Sequence, residues 1–231
     1  TCAGLVLSAV FAIAVFSDVA LGGNRKTIEL FTWIDSGSFE ISWALKVDTL
    51  TAVMMIVVTV VSAMVHIYSI GYMHHDGCIP RFMSYLSLFT FFMLMLITGD
   101  NLIQIFFGWE GVGLASYLLI GFWYEKPSAN AAAIKAFVVN RVGDFGFALG
   151  IFAVYFLFDT IHLDTIFAAA SNKKDATMII FGGEFHALTV ICLFLFIGAM
   201  GKSAQLGLHT WLPDAMEGPT PVSALIHAAT M

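Results

Sequence analysis

The sequence predicts an all-α polytopic membrane protein. About six to seven transmembrane helices form one transmembrane domain over residues 1–231. One helix is expected to be discontinuous near 202–213, and a β-hairpin near 28–46 is expected to lie on the membrane surface. Three observations carry this reading. Hydrophobic residues make up 59% of the 231 residues and charged residues only 11%, where a soluble domain carries about 25%. The mean hydropathy is +0.89. Apolar stretches near the roughly 20 residues that cross a bilayer recur along the chain. So little charge cannot coat a water-facing surface, so lipid is the solvent for most of the chain. A disordered chain, an ordinary cytosolic enzyme and a nucleic-acid binder are excluded. With a net charge of −6, no basic patch is available to hold a polyanion.

The apolar stretches fall at roughly 3–21, 47–70, 82–98, 101–123, 134–158 and 186–207, with a seventh starting near Pro219. Thr98-Gly99-Asp100-Asn101 is the tightest break and reads as a helix–turn–helix hairpin. Pro127 can start a new helix after Glu125-Lys126. Two aromatic-rich runs, Leu30 to Ile34 and Phe39 to Trp43, flank Asp35-Ser36-Gly37-Ser38 and predict the hairpin. Trp33 and Trp43 suit a membrane interface. Residues 159–185 read as a surface loop with a short helix. Arg81 and Lys126 fall in the 71–81 and 124–133 connections, which share one side. The short 98–101 turn carries neither Lys nor Arg, which predicts the first side as cytoplasmic or matrix-facing. The chain opens on Thr1-Cys2 and stops at Met231 inside an apolar run, which reads as a piece of a longer or processed chain with no evident signal peptide. Cys2, Cys78 and Cys192 include no CxxC pair and read as small buried apolar residues.

The informative residues are charges where hydrocarbon should exclude them. Each costs on the order of 2.5–3.5 kcal/mol on insertion scales, so it must face protein or water. Glu110 in Phe107-Gly108-Trp109-Glu110-Gly111-Val112-Gly113 lies about nine residues, or roughly 13 Å, past the 98–101 turn. It reads either as a proton-carrying carboxylate or as one arm of an ion pair locking two helices. The flanking glycines let neighbouring helices approach closely. Asp144 lies i, i+3 from Arg141 in Asn140-Arg141-Val142-Gly143-Asp144, so the two can meet on one face. That makes a structural, self-neutralised pair the stronger reading. Lys135 lies nearer the end of that helix, where it can snorkel. Lys202 follows the apolar run from Ile191 to Met200 and precedes Trp211-Leu212-Pro213 and Gly218-Pro219-Thr220-Pro221. Such a mixture of apolar and helix-breaking residues points to a helix interrupted within the membrane, a feature of ion pathways. A lysine can give up its proton when buried, whereas arginine cannot. His227 sits in the next apolar run, and its role stays open. His66 reads as a satisfied core residue.

Three stretches are together specific: 108–121, Asn140 to Asp144, and 201–227 from Gly201-Lys202-Ser203-Ala204-Gln205 to Leu225-Ile226-His227. They closely resemble the antiporter-like subunit 5 (chain L type) of respiratory complex I, the proton-pumping NADH:quinone oxidoreductase, and the resemblance runs through essentially the whole chain. It implies a longer subunit with a preceding helix, a second broken-helix repeat and a long lateral helix. It implies that residues matching Glu110 and Lys202 form a charge pair across two helices. Asp144, His227 and Arg141 would join the hydrated proton path. The chain would carry no cofactor and no metal. NADH, FMN, iron–sulfur clusters and quinone would belong to partner subunits, so that this chain is an enzyme only as a subunit of a proton-translocating NADH:ubiquinone reductase. The implied partners are other membrane-arm subunits, the lipid bilayer, protons and internal water. The implied place is an energy-coupling membrane, either the bacterial plasma membrane or the mitochondrial inner membrane. In that scheme ionised Glu110 keeps Lys202 protonated, and separation of the pair sends the proton onward. Two unit charges 4 Å apart at an effective dielectric near 20 interact by about 4 kcal/mol. Three alternatives remain at this point: a subunit of a multi-subunit cation/proton antiporter, a haem protein using His66 and His227, and a scaffold whose charges only lock helices.

Overall fold

The computed structural model describes every residue except Ser38, Phe181, Thr230 and Met231, with Ala228 and Ala229 described by backbone alone. The Ser38 position of the predicted turn and the Met231 terminus therefore lie outside the described residues. Helix α1 (Cys2–Phe16) runs into a π-helical turn at Ser17–Leu21. It is followed by the antiparallel hairpin β1 (Lys26–Ser36) and β2 (Phe39–Val47). Then come α2 (Thr49–Tyr72), α3 (Ile79–Ile97), α4 (Leu102–Ile120) and α5 (Pro127–Phe158). The short α6 (Leu163–Ala170) and a second hairpin, β3 (Thr177–Ile180) with β4 (Gly183–His186), lead to α7 (Ala187–Lys202) and α8 (Thr220–Ala229).

Among the described residues five helical segments are long and apolar enough to cross a membrane; α7, at 16 residues, is a shorter apolar helix. The all-α polytopic architecture and the surface hairpin are thus as the sequence predicts. Two details differ. Cys78 and Cys192 are exposed and Cys2 is half-buried rather than buried, because Cys78 stands in the connection before α3 and Cys192 on the outer face of α7; α5 starts at Pro127 as expected. The 159–185 connection holds β3–β4 as well as the predicted helix.

Local chemistry sets the helix starts. Asp48 and Asn101 cap α2 and α4, accepting from the amides of Thr51 and Gln104 at 2.9 Å each. The first hairpin docks on the beginning of α4. Gln104, fully buried, donates to Ala44 O (2.8 Å) and accepts from Ala44 N (3.2 Å), so its side chain imitates a neighbouring strand. Trp33 and Trp43 pack edge-on against Phe107 of α4. At the opposite end of the bundle, Trp123 Nε1 donates to Asp76 Oδ2 (3.1 Å) and Arg81 donates to Phe122 O (3.0 Å). These contacts bring the 71–81 and 124–133 connections together.

Helix α5 packs against both α4 and α7. Its seam with α7 is lined with glycine: a methyl at Gly143 would meet Gly201 Cα at 3.1 Å, and one at Gly198 would meet Phe147 Cβ at 2.6 Å. Gly108 of α4 fits against α3 in the same way, with the Leu96 backbone 2.6 Å from where a Cβ would stand. Gly113 differs, because it faces no helix backbone but the Lys202 ammonium.

Candidate functional site

Four charged residues of α4, α5 and α7 converge within the bundle. Glu110 lies near the middle of α4, and Arg141 and Asp144 near the middle of α5. Lys202 is the last residue of α7. There the chain leaves the helix: Ala204 and Gly207 take positive φ values of 47° and 95°. The buried indole of Trp211 reaches back to donate to Gly201 O at 3.1 Å. Helix ends leave carbonyls without partners, and here a side chain from beyond the break satisfies one. The interruption expected near 202–213 is present, and it places a lysine at the broken end of an apolar helix.

The four side chains form an alternating series. Glu110 Oε2 pairs with Arg141 Nη1. Arg141 Nη1 lies 3.8 Å from Asp144 Oδ2, and Asp144 Oδ1 lies 3.8 Å from Lys202 Nζ. The two ends differ in environment. The side chains of Arg141 and Glu110 are 40% and 24% exposed, whereas those of Asp144 and Lys202 are 4% and 7% exposed. A buried charge must be paired or hydrogen-bonded. Asp144 meets that rule through Trp109 Nε1, which donates to Oδ1 at 2.6 Å. Lys202 meets it only in part, because its ammonium is buried without a hydrogen-bond partner among the described residues. Its neighbours are the Asp144 carboxylate, the Trp109 ring face with its centroid at 5.8 Å, and Gly113.

The geometry corrects two expectations. Glu110 and Lys202 are not a direct charge pair: the ion-pair partner of Glu110 is Arg141 and that of Lys202 is Asp144. Sequence spacing cannot reveal which helix stands between two others, and α5 inserts its own charges between these two. His227 is not drawn into the series. It lies exposed in the last turn of α8, with no ion pair or hydrogen bond to the other four among the described residues. Lys135, placed near the helix end, pairs with Asp214 at 2.7 Å. His66 is fully buried and hydrogen-bonded between α2 and α3, as a core histidine should be.

Two contributors escaped the sequence reading. Trp109 holds Asp144, and Trp211 ties down the helix break. For Trp109 a signal existed. Tryptophan favours the membrane interface, and a buried indole N–H seeks a partner, so a tryptophan beside a mid-membrane glutamate already implied an acceptor nearby.

Residues 99–231 match the family described as NADH:quinone oxidoreductase/Mrp antiporter, transmembrane, and residues 33–83 match the N-terminus of chain 5 of the NADH–ubiquinone oxidoreductase, complex I. The chain belongs to the NADH:quinone oxidoreductase/Mrp antiporter family. Within that family it is 61% identical to the NADH-quinone oxidoreductase subunit L of Rhodobacter capsulatus, over 98% of this chain and 33% of the relative. It is 59% identical to the NADH-ubiquinone oxidoreductase chain 5 of Chondrus crispus, over 98% of this chain and 34% of the relative. The chain thus spans about a third of the length of the curated relatives it matches. In a solved archaeal respiratory membrane complex, the membrane-bound sulfane sulfur reductase, one chain shares the fold with a TM-score of 0.78 at 18% identity. That match covers 95% of this chain and 42% of the archaeal one. Like its relatives, this antiporter-family member is a multi-pass membrane protein.

Proposed function

We propose that this chain is part of a proton-translocating membrane-arm subunit of a respiratory NADH:quinone oxidoreductase. The single observation that carries the reading is the alternating series Glu110, Arg141, Asp144, Lys202, ending at a lysine where a membrane helix breaks. A lysine 3.8 Å from a carboxylate is held by about 4 kcal/mol at an effective dielectric near 20. That is enough to keep the proton on Lys202 while the carboxylate is ionised and to release it when Arg141 draws the carboxylate away. Glu110 competes for the same arginine, so a change at Glu110 reaches Lys202 through Arg141 and Asp144. The redox chemistry, with NADH, FMN, iron–sulfur clusters and quinone, belongs to partner subunits, and this chain binds none of them. Its partners are other membrane-arm subunits, lipid and internal water, in a bacterial plasma membrane or a mitochondrial inner membrane. The whole of 1–231 is one transmembrane domain.

The test replaces Lys202 by alanine in the full-length subunit within its assembled complex. In well-coupled vesicles, proton pumping should fall while the complex remains assembled. Unchanged pumping would remove Lys202 from the path. The matched family also covers Mrp antiporters, which supports a second reading as a subunit of a multi-subunit cation/proton antiporter. Copurification with sodium-efflux activity rather than with NADH-oxidising subunits would favour that alternative.

A further inference from the structure

We propose that the Trp109 indole is a positioning residue that keeps Asp144 and Lys202 from closing into a direct hydrogen-bonded pair. The proposal rests on the proton-path reading above and names a residue that reading does not use. Trp109 Nε1 and Lys202 Nζ approach the same carboxylate oxygen. The indole donates to Asp144 Oδ1 at 2.6 Å, and the ammonium stands 3.8 Å from it, beyond the 2.7–2.9 Å or so of a charge-assisted N–H···O bond. The other oxygen, Oδ2, faces Arg141 at 3.8 Å. The ring cannot swing away freely: it stacks on Phe147 with centroids 4.7 Å apart and planes 11° apart. Phe147 is itself pressed against Gly198 of α7. The same ring offers its π face to the ammonium at 5.8 Å, within cation–π range.

Trp109 therefore acts on both partners. Its N–H takes one of the two acceptor sites of the oxygen nearest Lys202, and its face gives the ammonium a weaker resting place. The ion pair stays loose, and a loose pair can exchange partners. Without the N–H, Lys202 would settle on Oδ1 and hold its proton there.

The discriminating variant replaces Trp109 in the full-length subunit of the assembled complex by 3-benzothienylalanine, an isostere with sulfur in place of the N–H. Trp109→Phe serves as a second variant that keeps an aromatic ring against Phe147. Assembly is followed on native gels, and proton pumping is measured per NADH oxidised. The expected result is normal assembly with pumping reduced about fivefold, the ratio that corresponds to ~1 kcal/mol. A purely structural role predicts instead that the isostere lowers assembly or thermal stability of the complex along with pumping, and that result would overturn the proposal. Normal pumping by the isostere would overturn it as well. If Lys202→Ala also pumps normally, the proton-path reading falls; if Lys202→Ala fails and the isostere pumps, only the role of Trp109 falls.

Discussion

Between α2 and α3 the buried polar groups close on one another; between α4, α5 and α7 they do not. In the first region His66 is fully buried. Its Nδ1–H donates to Ser62 O at 2.8 Å, and its Nε2 lies 3.3 Å from Ser87 Oγ. Ser62 and Thr90 share a hydrogen bond of 2.6 Å. The groups are neutral hydroxyls and an imidazole, and each has a partner. In the second region four charges alternate, their closest buried contact is 3.8 Å, and the Lys202 ammonium is left without a hydrogen bond among the described residues. Burying polar groups is costly in either place. A satisfied network recovers that cost and fixes two helices. An incompletely satisfied series of charges keeps more than one arrangement within reach, as moving a proton requires.

The contrast can be broken first at its charged end. Asp144→Leu leaves Lys202 buried without a carboxylate, and removing one partner of a buried pair costs about 3–5 kcal/mol. Thermal stability of the assembled complex should fall accordingly, and a variant as stable as the parent would show that the pair contributes nothing to holding α5 and α7. The neutral network should behave differently. His66→Ala removes the ring's hydrogen bonds to Ser62 O and Ser87 Oγ and leaves a cavity, a loss of roughly 1–3 kcal/mol visible as a lower unfolding temperature. Protons pumped per NADH should stay unchanged, since no charge is moved; an altered ratio would make His66 part of the path.

A finer test separates packing from proton chemistry within α4. A methyl at Gly113 would stand 2.7 Å from Lys202 Nζ. Because the ammonium sits at the end of a flexible side chain, Gly113→Ala should cost less than the roughly 1–3 kcal/mol typical of overpacking, yet slow pumping. Pumping at the parental rate with lowered stability would reverse that assignment. The smallest expected effect lies outside the membrane. The Cys78 amide, then the Trp123 indole, hold the Asp76 carboxylate below its ordinary value of 3.8. A lowered value in the folded state contributes stability above that ordinary value and loses it as the pH falls through the lower one. Acidification through that window should free the Trp123 indole, read as a change in its fluorescence, and Asp76→Asn should abolish the transition.

How far the sequence reaches also divides along these lines. The spans were legible because a length of apolar residues is a local property. The break after Lys202 was legible because glycine, proline and tryptophan interrupt an apolar run. The first hairpin was legible from its two aromatic strands. Hairpin β3–β4 was not, since its strands have four residues each and no long alternation. Identifying Glu110, Asp144 and Lys202 as out of place in lipid needed only their neighbours in sequence. Their pairing needed the packing order of three helices, which the glycines at 143, 198 and 201 help to set and which no spacing along one chain encodes. The exposure of His227, and the contact between Trp109 and Asp144, belong to the same class of fact.

The central claim is that the buried charges carry protons rather than merely joining helices. Asp144→Leu combined with Lys202→Met tests it most directly, because two well-packed apolar residues can replace a buried ion pair without loss of stability. In vesicles holding the assembled complex, the account predicts continued NADH oxidation with proton movement impaired. Parental proton movement by that double variant would contradict it.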